Sequence, residues 1–116
     1  MSLYAKTSAP KGLPGRIRDA IDAGHIKTWD YDDDGDFTHV THDGQWEGQA
    51  WFRAQISLGQ VNFRLVGIKA KCMPNVVYAV YHGRFAEMLI EHFSDAVADV
   101  RMSSKPTPRD MLKLCG

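Results

Sequence analysis

Residues 50–67 read AWFRAQISLGQVNFRLVG, two runs of alternating apolar and polar residues joined at Leu58-Gly59. Such alternation marks a strand with one buried face, and two such runs around a glycine-bearing pair make a β-hairpin. With Leu58-Gly59 as a two-residue loop, Phe52 faces Leu65, Ala54 faces Phe63, Ile56 faces Val61 and Ala50 faces Gly67. A four-residue loop, Ser57–Gln60, gives the same pairing. These residues form one apolar face. The other face sets Trp51 against Val66, Arg53 against Arg64 and Gln55 against Asn62. Two arginines directly opposed repel by a few tenths to ~1 kcal/mol, unless an acid or an external anion lies between them.

Asp34-Gly35 and Asp43-Gly44 are further hairpin signals, so Ile26–His82 reads as a meander of five strands. The expected strands are Ile26–Tyr31, Asp36–Thr41, Gln45–Ile56, Gln60–Lys69 and Val76 to Tyr81 or His82. Two-residue loops at the first two turns would set Trp29 against Val40 and Tyr31 against Thr38, on the face of Trp51. They would set Phe37 against Ala50 on the other face.

Around this sheet the sequence predicts two helices. Pro14 suits the first turn of a short one bearing Ile17, Ala20 and Ile21, and Gly24 suits its end. Gly83–Ala98 carries Phe85, Leu89, His92, Phe93 and Ala96 at three- and four-residue spacing, the stripe of a helix docked on the apolar sheet face. The expected fold class is α+β, an antiparallel meander sheet of five strands with Val100–Met102 as a candidate sixth. The short N-terminal helix and the longer C-terminal one pack on one face. Residues 1–13 read as a flexible arm, 14–102 as a single domain, and 103–116 as a tail with one short helical turn in its last part.

A chain of 116 residues with 44% hydrophobic residues fits one domain with a core. It contains no bilayer-length apolar run and no basic-then-apolar leader, which points to a cytoplasmic protein without a membrane role. Cys72 and Cys115 lack CxxC spacing and read as two free thiols. The net charge is zero, yet the charges are segregated. Residues 28–52 carry Asp30, Asp32, Asp33, Asp34, Asp36, Asp43 and Glu47 without a Lys or Arg, and residues 53–82 carry Arg53, Arg64, Lys69 and Lys71 without an acid.

Three readings of function follow. The first is a non-catalytic binding or adaptor protein, using Trp29, Tyr31, Val40, Trp51, Arg53, Arg64 and Val66 as a contact face for a protein partner or a second copy of itself. The second is a nucleic-acid-binding module or small ribonuclease-like enzyme, using Arg53, Arg64, Lys69 and Lys71 against phosphates. For catalysis it would draw on Tyr81, His82, Arg84 and Glu87. The third is a weak divalent-cation site at Asp30, Asp32, Asp34 and Asp36, whose spacing matches the first half of a calcium loop; the twelfth position, normally a bidentate Glu, is Thr41. His39, His42 and Asp43 are a poor metal set, since a spacing of three on a strand sends the two imidazoles to opposite faces. No nucleotide-, phosphate- or zinc-binding motif is present, and no cofactor is expected.

Overall fold

The computed structural model describes residues 3–108 and 110–116. Its elements are β1 (Leu3–Thr7), α1 (Leu13–Asp22), β2 (Trp29–Tyr31), β3 (Phe37–His39), β4 (Ala50–Ser57), β5 (Gln60–Gly67), α2 (Asn75–Phe93) and β6 (Val97–Met102). The six strands form one antiparallel sheet in the order β2-β3-β4-β5-β1-β6. The fold class is therefore the expected α+β one, with a short first helix and a longer second. No helix among the described residues is long and apolar enough to cross a membrane.

The β4–β5 hairpin has the register read from the sequence throughout, from Ala50 opposite Gly67 to Ser57 opposite Gln60. Leu58-Gly59 is the turn, and Gly59 adopts φ +74°, which favours glycine. The first hairpin differs by one residue. Trp29 faces His39 and Tyr31 faces Phe37. The cause is local: Asp32 Oδ1 accepts the N–H of Asp34 at 3.0 Å and of Asp36 at 2.9 Å, and Asp32 N–H donates to the Asp36 carbonyl at 3.0 Å. Five residues are thereby held in the loop instead of two. The slip turns Trp29, 2% exposed, into the core.

Four other expectations need correction. Leu3–Thr7 is no arm: it lies between β5 and β6, with Leu3, Ala5 and Thr7 buried and Tyr4 and Lys6 turned away. Val76–Tyr81 is no strand but the opening turns of α2. Its β-branched and aromatic residues suit either structure, yet Val77, Tyr78, Tyr81, His82 and Phe85 recur at helical spacing and are all buried. The last residues form no helical turn. Met111 makes a parallel bridge to Val66 and Leu114 one to Met73, so this segment is extended, and Cys115 is bonded to Cys72. The two cysteines are thus not free thiols. The candidate sixth strand is present and starts earlier than expected, at Val97.

The core lies between α1, α2 and one sheet face. Phe85, Leu89 and Phe93, at 0, 0 and 4% exposure, form the docked stripe of α2 against Phe52, Phe63 and Leu65. The Phe85 ring is 4.6 Å from that of Phe52, 4.8 Å from Phe63 and 4.9 Å from Trp29, distances at which aromatic pairs attract beyond simple burial. Arg16 of α1 lies over the Phe93 ring, 5.4 Å from its centroid, tying the two helices on the same side.

Truncating Phe93 removes a buried ring that the rigid sheet cannot replace. Phe93→Ala is expected to cost ~3–5 kcal/mol, and Glu91→Ala, on the exposed side of the same helix, no more than ~0.5 kcal/mol. Paired denaturant melts measure the difference. Equal midpoints would contradict this docking.

Candidate binding face

Alternation along β4 and β5 sends Trp51, Arg53, Arg64 and Val66 to the sheet face opposite the helices, as the hairpin register requires. Neighbouring strands extend this face. Tyr4 stands opposite Asn62 on one side and Arg101 on the other, and Lys6 opposite Gln60 and Asp99. The Arg101 guanidinium lies 5.8 Å from the Tyr4 ring centroid and donates through Nε to Asp99 at 3.1 Å.

The opposed arginines are resolved unequally. Arg53 donates through Nη2 to Asp36 Oδ2 at 2.9 Å and through Nε to both carboxylate oxygens at 3.2 and 3.3 Å. Asp36 is buried, and its hydrogen bond with Arg53 raises the guanidinium pKa further. Met111 of the C-terminal segment lies beside the same guanidinium, its sulfur 4.0 Å from Nη1. The Arg64 side chain has no hydrogen bond or ion pair among the described residues, and its Nε is shielded from solvent. Two other buried side-chain polar atoms share that condition, Nε1 of Trp29 in the hydrophobic core and Nε2 of the buried His82.

The structure therefore divides the expected contact residues. Trp51, Arg53, Arg64 and Val66 share the open face. Trp29 is in the core, and Tyr31 packs against it while its hydroxyl donates to Asp22 of α1 at 2.7 Å. Val40 is half-buried just beyond β3, its N–H donating to the Thr28 carbonyl at 2.8 Å. The slipped first hairpin accounts for the loss of Trp29 and Tyr31. Tyr4 and Lys6 join this face through β1, and Arg101 through the pairing of β6 with β1. The alternation in Leu3-Tyr4-Ala5-Lys6-Thr7 was the available signal, too short to stand out beside a Gly/Pro-punctuated stretch.

Among the basic residues, Arg53 is spent on Asp36, and Lys69 and Lys71 are exposed in the connection after β5. The acidic set also divides. Carboxylate oxygens of Asp32, Asp34 and Asp36 lie within 4.8 Å of one another, whereas Asp30 accepts the N–H of Tyr31 at 2.8 Å and is outside the group. A cation there would compete with Arg53 for Asp36. The guanidinium of Arg18 also borders the loop, 3.3 Å from where a side chain at Gly35 would begin.

The proposed acid–base residues do not converge. Tyr81 sits where β3 and β4 part, donating its hydroxyl to the Trp46 carbonyl and meeting Thr38 Oγ1 at 3.1 Å. His82 is buried between Tyr78 and Phe52, with Nδ1 hydrogen-bonded to the Tyr78 carbonyl at 2.7 Å. Arg84 and Glu87 pair with each other on the exposed side of α2. His39 is buried with Nδ1 bonded to the Thr28 carbonyl, and His42 is exposed. Compared with known proteins, the chain matches no family profile, no curated sequence and no solved structure.

Burial lowers the pKa of both His39 and His82 below the ordinary 6.5. Between the folded and unfolded values the unfolded chain binds more protons, so stability is complete above pH 6.5 and falls as the pH drops through it. Thermal melts at pH 7.5 and 5.0 are expected to show that loss. His82→Phe, which keeps the ring and removes the titration, should reduce it. An unchanged pH slope in the variant would show that His82 does not contribute.

Proposed function

We propose that this protein is a non-catalytic binding protein acting through its open sheet face, with self-association as the simplest form. The observation that supports this reading is Arg64, whose side chain has no hydrogen-bond or ion-pair partner among the described residues and is flanked on the same face by Trp51 and Val66. The Arg64 side chain is half-exposed, and a carboxylate meeting its terminal nitrogens would form a charge-assisted hydrogen bond. Aromatic and arginine residues are also those that most often anchor protein interfaces. A second copy brings suitable acids, since Asp32, Asp33 and Asp34 are exposed in a chain of zero net charge.

On this reading the parent chain is a dimer by light scattering at high micromolar concentration, and Arg64→Glu shifts it toward the monomer. Raised salt should act in the same direction. A monomeric parent at that concentration would exclude self-association and leave only a foreign protein.

A second reading rests on the same face. Tyr4 and Trp51 are interleaved with Lys6 and Arg64, an arrangement suited to stacking bases while pairing phosphates. It predicts that a labelled single strand binds at low salt and that Arg64→Glu weakens binding more than Arg53→Glu, because Arg53 is already neutralised by Asp36. Equal binding by all three proteins in a fluorescence titration would dispose of it.

The expected cytoplasmic location belongs with these proposals, and it requires the Cys72–Cys115 bond to exist in a reducing compartment. Bonds of that kind are usually transient or redox-sensing there, and stable in an oxidising one.

A further inference from the structure

The segment Asp110–Gly116 continues the sheet where β1 stops. β1 pairs with β5 from Gln60 to Phe63, and beyond it the edge of β5 is taken by the C-terminal segment. Gly67 N–H donates to the Met111 carbonyl at 2.9 Å, and Met111 N–H to the Leu65 carbonyl at 3.1 Å. Further on, Met73 N–H donates to the Lys113 carbonyl at 2.7 Å, and Cys115 N–H to the Met73 carbonyl at 2.9 Å. Asp110 opens the segment, accepting the Leu65 N–H through Oδ1 at 3.1 Å and the Thr107 N–H through Oδ2 at 2.8 Å. Met111 and Lys113 are exposed, while Leu112 and Leu114 pack against the core.

The seat fits this strand. A side chain at Gly67 would begin 3.2 Å from Leu112 Cβ, so glycine allows the close approach. Inside the disulfide, the segment is held by edge hydrogen bonds, the buried Asp110 carboxylate and two half-buried leucines. An edge segment that lies outside the aromatic core is one that opens locally, before the rest of the fold. Cys72 itself is exposed, where an external thiolate can reach it.

We infer that the β5 edge is a strand-docking groove, closed by the chain's own C-terminal strap and opened by reduction of Cys72–Cys115. A dithiol reductant attacks one sulfur as its thiolate, giving a mixed disulfide and one protein thiolate. Its second thiol then displaces the other sulfur. The protein gains two electrons and two protons as two thiols, and the reductant leaves as its own disulfide. The freed edge presents the N–H groups of Leu65, Gly67 and Met73 to an incoming strand. The resident strap indicates the partner: an extended protein segment with an acid followed by apolar residues two and four positions later, as in Asp110, Leu112 and Leu114. This inference does not rest on the open-face reading: that reading concerns side chains of β4 and β5 that stand off the sheet, whereas the groove is the backbone edge of β5.

The test uses the full chain and amide hydrogen exchange. In the chain reduced by dithiothreitol, and in the Cys72→Ser, Cys115→Ser double variant, the Gly67, Met73 and Cys115-position amides should exchange at least about tenfold faster than in the oxidised chain. The Phe52 and Phe63 amides should keep their protection. A labelled peptide of residues 107–114 should then bind the double variant once Leu112→Asp and Leu114→Asp weaken its own strap, and should not bind the oxidised parent. Unchanged exchange on reduction would overturn the inference, as would loss of protection across the whole sheet together, which would make the bond a global staple. An opened strap with no peptide binding would overturn the docking groove.

Discussion

The ring of Phe85 touches the rest of this structure at more points than any single strand could arrange. It packs against Phe52 of β4, Phe63 of β5 and Trp29 of β2, with Phe37 of β3 at 5.9 Å. Four strands must therefore turn the same kind of side chain toward one helix. For β4 and β5 the alternation already demands this. For β2 it demands that Asp32 hold a five-residue loop, because a two-residue turn would carry Trp29 to the other side. The side-chain hydrogen bonds of one aspartate thus decide whether a tryptophan is core or surface.

With both helices drawn to that aromatic cluster, the second sheet face is left to polar and charged groups interspersed with Tyr4, Trp51 and Val66. There the pairing of Arg53 with Arg64, unfavourable on its own, is relieved on one side only. Asp36 lies close enough to Arg53 because it immediately precedes Phe37, which pairs with Phe52. No such acid meets Arg64 among the described residues. The charge segregation along the chain is thereby partly cancelled in space: the acidic block supplies the counter-ion for the first base of the basic block. Arg64, beside Trp51 and Val66, is what remains.

The C-terminal segment depends on the same sheet in another way. β1 is short, so β5 outruns it, and an uncovered stretch of edge would expose unpaired backbone groups. The strap satisfies them, and the disulfide fixes it across a sequence separation of 43 residues. Residues far apart in the chain are joined by the shortfall of one strand.

The sequence by itself determined the β4–β5 hairpin, its register, the stripe of α2 and the α+β class. Each rests on near neighbours, through the period of two in a strand and the three- and four-residue spacing in a helix. It also placed Trp51, Arg53, Arg64 and Val66 together. Only the tertiary structure decided the rest. Val76–Tyr81 could serve as strand or helix until the core required its buried face to continue that of Phe85. Leu3–Thr7 became a strand because β5 and β6, each remote in sequence, offered it two partners. Asp36 met Arg53, and Cys72 met Cys115, through contacts across the sheet and its edge. Such contacts depend on the order of strands in space, which local periodicity does not encode.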